Sequence, residues 1–170
     1  MIKILFHIFL ILFLKGCGYS IIGGNPLLPK EAKSIGIYPI ENHTFVAGLD
    51  TRTSSEMKLK LETNSSVEIL PVTKSDLQLS ISLNEIKSKT TGLDSIENAA
   101  GVIFYLEGSV SLNERSNGNT IWKVPNLEVK ILESSSNNLV SNSLELSEEN
   151  LDELSRLLAE KIYQRIFLEF

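Results

Sequence analysis

The sequence predicts an α+β two-layer sandwich, with two helices packed on one face of a largely antiparallel sheet of about four strands. Three observations carry this. Leu77, Leu79, Ile81 and Leu83 alternate with Gln78, Ser80, Ser82 and Asn84, the period of a strand with one buried face. Asn117-Gly118 lies between two strand-like runs, where a two-residue hairpin turn needs positive φ at both central positions. Leu151, Leu154, Leu158, Ile162 and Ile166 recur at spacings of three and four, the apolar stripe of a helix. Amphipathic helices need an apolar surface to cover, and one face of a sheet supplies it.

The elements follow in chain order. Ile35-Gly36-Ile37-Tyr38-Pro39-Ile40 reads as the first strand, with Pro39 either confining it to an edge or ending it. Leu49 to Glu62 is expected to be helical: Asp50 is a candidate N-cap, and Leu49, Met57 and Leu61 share a helical face. The run Met57-Lys58-Leu59-Lys60-Leu61 also alternates with period two, so a strand competes there. After the Leu77–Leu83 strand, Ser88 to Asn98 is polar and expected to be a loop. Val102, Phe104, Leu106, Val110 and Leu112 keep one parity, with Gly108 in the gap. The return strand carries Ile121 and Trp122, then Leu127, Val129 and Ile131. Its inward parity changes around Pro125-Asn126, which predicts a bulge or a break. Ser134 to Asn138 reads as a second loop. Ser147 can cap the closing helix, and Glu148 and Glu149 suit the positive end of its dipole.

The chain begins with a different kind of segment. Lys3 precedes an almost unbroken apolar run from Ile4 to Leu14, too short to span a bilayer and suited to a signal-peptide core. The run closes on Leu14-Lys15-Gly16-Cys17, which resembles a lipobox, where the cysteine thiol is acylated and becomes the new N-terminus. Cys17 is the sole cysteine and sits where the apolar run ends, so it is the expected lipidation site. An uncut anchor with a free Cys17 beside the membrane is the alternative. Residues 1–16 are thus read as a lipoprotein signal peptide and 17–33 as a lipidated tether, with Gly23-Gly24-Asn25-Pro26 and Pro29 as breakers. The remainder, 34–170, is the folded domain.

Composition excludes more than it names. The 170 residues are 42% hydrophobic and 22% charged, ordinary globular values, with a formal charge of −5. Without a basic excess, nucleic-acid binding is not expected as a main activity. One cysteine and two histidines cannot build a Cys/His zinc site, and His43 is the only histidine past the leader, so no Ser-His-Asp or Cys-His pair can assemble. No phosphate-cradling glycine loop is present, and no cofactor is expected. A carboxylate pair acting as acid and base is the one hydrolytic arrangement left open. The expectation is a protein without catalysis.

Cys17-Gly18-Tyr19, then Ile35-Gly36-Ile37-Tyr38-Pro39-Ile40-Glu41-Asn42-His43-Thr44 and Gly48-Leu49, resemble the LptE family of lipopolysaccharide-assembly lipoproteins. Its members typically begin Cys-Gly-Tyr/Phe, followed by a strand ending in Pro-x-x-Asn-x-Thr ahead of a helix. The likeness also covers the element order of the mature chain. It implies an LptE-like fold over 34–170 and a lipid-anchored protein of the outer membrane, facing the periplasm or a barrel lumen. It implies, too, a plug and assembly factor for the LptD β-barrel, which inserts lipopolysaccharide into the outer leaflet, and contact with lipopolysaccharide itself. A different tethered adaptor or pilot of a secretion or envelope-assembly system is the alternative. The physics of Pro39 to Thr44 is structural: proline ends the strand while the Asn and Thr side chains fix the turn.

Lipopolysaccharide carries phosphates, and the domain is net negative, so binding would need a local cationic cluster rather than a global field. The candidates are Lys87 and Lys89 after the Leu77–Leu83 strand, Arg115 by the Asn117-Gly118 turn, and Lys123 and Lys130 on the return strand. No family motif matches at these positions, so the resemblance assigns none of them.

Overall fold

A computed structural model describes residues 28–91, 101–134 and 146–167 of the protein. Within them the chain runs from a 3-10 turn (Pro29–Glu31) to β1 (Ser34–Ile37), β2 (Glu41–Asn42) and α1 (Leu49–Asn64). It continues through β3 (Glu68–Ile69), β4 (Leu77–Thr90), β5 (Gly101–Glu114) and β6 (Thr120–Ser134) to α2 (Glu148–Phe167). The sheet order is β3-β1-β4-β5-β6, with β2 also pairing β4. Two helices cover one face of an open sheet, the two-layer α+β architecture the patterning predicts. The expected lipidation site, Cys17, lies outside the described residues, as do most of the tether and most of the two expected loops, Ser88 to Asn98 and Ser134 to Asn138.

The sheet has six strands rather than about four. Its long strands, β4, β5 and β6, form an antiparallel meander, whereas β1 runs parallel to both β3 and β4, and β2 parallel to β4. The parallel β1–β3 pair requires a crossover, and α1 provides it. β1 is therefore an interior strand, and Pro39 ends it instead of marking an edge. Polar Ser88 to Thr90 belong to β4, because backbone pairing with β5 continues to Thr90 opposite Val102. Leu28 is buried, and the Lys33 and Ser34 amides donate to Asp76 Oδ2 at 3.0 and 3.1 Å, so docking on the domain begins before residue 34.

Register confirms the predicted bulge. Gly108 faces Leu127 while Val110 faces Val124, which leaves one extra residue on β6 around Pro125-Asn126. A second bulge, at Asn84 on β4, meets Gly108 from the other side. A Cβ at Gly108 would stand 2.7 Å from the Ser82 carbonyl oxygen, so two bends converge where only glycine fits. The β5–β6 connection is longer than the expected two-residue turn. The Gly118 amide donates to the Glu114 carbonyl, and of the Asn117-Gly118 pair only Gly118 has positive φ, +70°.

Helix α1 buries Leu49, Thr53, Met57 and Leu61, one residue per turn, and leaves Leu59 exposed, so helical spacing prevails over the competing alternation. Its N-cap is Gly48, with Asp50 inside the first turn, where it complements the dipole without capping. On α2, Ser147 Oγ accepts from the Asn150 amide at 3.2 Å, the expected cap. Leu151, Leu154, Leu158, Ile162 and Ile166 are all buried, as is Phe167, while Leu157 is only half-buried. The helices lie side by side and parallel: Arg52 pairs with Glu148 and Asp152, Lys60 with Glu160, and Tyr163 Oη donates to the Asn64 carbonyl at 2.7 Å. None of the described helices is long and apolar enough to cross a membrane.

Candidate functional site

Alternation sends Leu79, Ile81, Leu106, Val110, Leu112 and Val129 to the helical side, and their neighbours to the opposite face of the sheet, which no described helix covers and over which the β3–β4 loop folds at Gly36 and Gln78. This open face divides into two regions. Near the start of β4, Ser80 lies opposite Ser111, which faces Lys123, and Ser82 lies opposite Ser109. Together with Tyr38 and Glu41 these residues line a shallow groove of about 530 Å³.

Beyond the bulges the face becomes cationic and partly apolar. Lys87 pairs with Tyr105, which pairs with Lys130, so two ammonium groups flank one phenol ring. In the second row from there, Lys89, Ile103 and Leu132 stand side by side, and Leu132 is 65% exposed. Lys87 Nζ donates to Glu107 Oε1 at 2.8 Å and lies 3.2 Å from Glu85 Oε2; these hydrogen bonds, Glu107 first, raise the pKa of its ammonium. Among the described residues Lys89, Lys123 and Lys130 make no ion pair. They are the cations free to meet an incoming anion.

The five sequence candidates therefore do not form one cluster. Lys87, Lys89 and Lys130 share one end of the open face, and Lys123 lies in the serine groove. Arg115 sits at the far turn, where its Nε donates to the Ser75 carbonyl at 2.5 Å and its charge helps lower the pKa of Asp76. Its role there is to hold the β3–β4 loop. Tyr105, Ile103 and Leu132 have no sequence signal of their own as site residues; only pairing through β5 puts them between the lysines.

The Pro39–Thr44 motif is a locked turn. Asn42 Oδ1 accepts from the Thr44 amide at 3.0 Å and the Thr44 hydroxyl at 2.7 Å, Asn42 Nδ2 donates to the Val46 carbonyl at 2.8 Å, and the Val46 amide donates to Thr44 Oγ1 at 3.2 Å. These bonds fix the path into α1 and leave Phe45 86% exposed at the tip. The structural account of Asn and Thr holds, and the phenyl ring displayed at the tip has no signal of its own in the sequence pattern.

The chain matches no protein-family model and no curated protein sequence. Its fold is similar to those of solved bacterial lipoproteins. An uncharacterised lipoprotein B from Nitrosomonas europaea superposes with a TM-score of 0.54 at 12% identity, covering 89% of this chain and 91% of that one. Rare lipoprotein B from Shewanella oneidensis gives 0.53 at 12% identity, over 74% and 91%. PelC from Paraburkholderia phytofirmans, a dodecamer, gives 0.53 at 17% identity, over 85% and 95%. What is shared at these identities is the fold.

Proposed function

We propose that the protein is a non-enzymatic outer-membrane lipoprotein, anchored through Cys17, that assembles with and plugs an LptD-type β-barrel for lipopolysaccharide insertion into the outer leaflet. The observation that carries this is the two-sidedness of the sheet. Its helical face is closed, and its other face offers serine, asparagine, glutamate and lysine to the surroundings. A surface of hydroxyls and charges suits the wet lumen of a large barrel. The likeness in fold to the two lipoprotein B structures is further support. Lipopolysaccharide contact belongs at Lys87, Lys89 and Lys130, where ammonium groups for phosphate stand next to Tyr105, Ile103 and Leu132 for the apolar part of the ligand.

Purification of the full-length lipidated protein from its own envelope tests the assembly, with a large barrel protein expected in constant ratio. The likeness in fold to the PelC dodecamer favours a second reading, a tethered adaptor of another envelope-assembly system built from several copies. Recovery of self-assembled copies with no barrel selects that reading. For the ligand, replacing Lys87, Lys89 and Lys130 together by alanine should weaken lipopolysaccharide binding and flatten its salt dependence, with the melting curve unchanged. Replacing Arg115 and Lys123 together by alanine should lower affinity far less.

A further inference from the structure

β6 is an edge strand, and only its last stretch is open. Pro125 has no amide hydrogen to offer, and Lys161 Nζ donates to the Glu128 carbonyl at 2.9 Å, so the upstream edge is blocked. That contact also sets the alternation: Glu128 points its carbonyl away from β5, and Lys130 and Leu132, two and four residues on, point theirs the same way. Among the described residues no strand pairs with this side of β6.

Beside the open stretch lies a groove of about 550 Å³ between β6 and the first turns of α2. Ile131 and Leu157 give it an apolar floor, Leu132 and Lys130 border it at the strand edge, and Glu56, Glu149, Asp152 and Glu153 outnumber Arg156 along its helical rim. Asp152 is engaged by Arg52 and Glu153 by Arg156, which leaves Glu56 and Glu149 without an ion pair among the described residues. An unpaired backbone edge, an apolar floor and an excess of carboxylates over cations coincide in one place.

We propose that this end of β6 accepts an extended segment of a partner protein as an added strand, with alternate apolar side chains beside Leu132 on the outer face and the intervening lysine or arginine side chains on the helical side, toward Glu56 and Glu149. Main-chain hydrogen bonds supply affinity in such pairing, and alternate side chains supply selectivity. A second copy does not present that chemistry. Besides two-residue β3, this sheet is open along β4 beyond Leu83, whose Lys87 and Lys89 share the outer face with Lys130, so β4–β6 pairing would set lysine against lysine, and β6–β6 pairing would bring two acidic rims together. The inference goes beyond the barrel assignment and does not depend on it.

The test uses the full-length lipidated protein in detergent and two labelled synthetic nonapeptides, one alternating lysine and valine, the other glutamate and valine. Fluorescence anisotropy should show the lysine peptide binding, more weakly as salt rises, and the glutamate peptide not binding. Leu132→Pro removes an outward-pointing amide, which an edge strand tolerates, and should weaken binding about tenfold or more. Glu56→Gln with Glu149→Gln, which alters charge alone, should reduce affinity several-fold and flatten the salt dependence; it decides the matter should Leu132→Pro fail to fold. No binding of the lysine peptide, equal binding of both peptides, or wild-type binding by these variants overturns the proposal. Self-association of the wild type that Leu132→Pro abolishes assigns the edge to a second copy and overturns it as well.

Discussion

Asp76 ties the start of the domain to the sheet. Its Oδ2 accepts from the amides of Lys33 and Ser34 and from the Ser34 hydroxyl, and its own amide donates to Ser34 Oγ. The backbone hydrogen bond from Lys33, then the Ser34 hydroxyl, lowers the pKa of the carboxyl. A lowered pKa means stability present above the ordinary carboxylate range, near 4, and lost as pH falls through the folded-state value. Asp76→Asn should therefore cost about 1 kcal/mol at pH 7, a modest figure because the group is exposed. The melting-temperature gap between the two proteins should narrow progressively as pH falls below the ordinary carboxylate range; a gap that does not narrow on acidification would mean the ionised carboxylate is not what holds the clamp. Asp76 was invisible as a candidate in the sequence, since its partners lie more than forty positions upstream. Asn42 and Thr44 were legible because their bonds stay within four residues.

At the scale of elements, α2 is the clearest test of the buried face. Leu158 is fully buried, and Leu158→Ala should cost about 2–5 kcal/mol. Glu160, although one would place it on the exposed side, pairs with Lys60 and Gln164, so a neutral comparison needs exposed Lys58 on α1 instead. Lys58→Ala should change stability by roughly half a kcal/mol or less. Equal denaturant midpoints for Leu158→Ala and Lys58→Ala would contradict the assigned face. Gly108 tests the sheet. Its Cβ would press on the Ser82 backbone rather than on a flexible side chain, so Gly108→Ala should destabilise by about 1–3 kcal/mol. Amide exchange should then quicken on both neighbours, β4 near Ser82 and β6 near Leu127, because both bulges meet there. Exchange that quickens on only one side would place the strain elsewhere. The sequence announced the β6 bulge through a parity change but not the β4 bulge at Asn84, which falls just where the alternation of β4 stops being regular.

For the molecule as a whole, the expected behaviour is that of a folded domain held to a membrane by its first residue after processing. Cys17→Ser should leave the melting curve of the domain unchanged and shift the protein from the membrane fraction to the soluble periplasmic one, or leave an uncut precursor. Mass spectrometry of the protein from its native host should find Cys17 acylated. Unmodified Cys17 there would remove the lipid anchor from the proposed function while leaving the sheet, its open face and its edge as described.

By itself the sequence determined the kind of each long element and which side of it is buried, because both follow from side-chain spacing along a few turns or a few pleats. Periods of 3.6 and 2 are local properties; α2, β4 and β5 show them over enough residues to be read directly, whereas in α1 the two periods compete over Met57 to Leu61. Tertiary structure alone decided what those elements stand beside. Strands β2 and β3, two residues each, are too short to hold a period and exist because longer strands offer them backbone partners. Likewise, Lys87, Tyr105 and Lys130 form one row only because β5 lies between β4 and β6 in this register, and Leu132 becomes an open edge only because no described strand follows β6. Hydrogen bonds between segments far apart in sequence set those neighbours, and no local pattern encodes them.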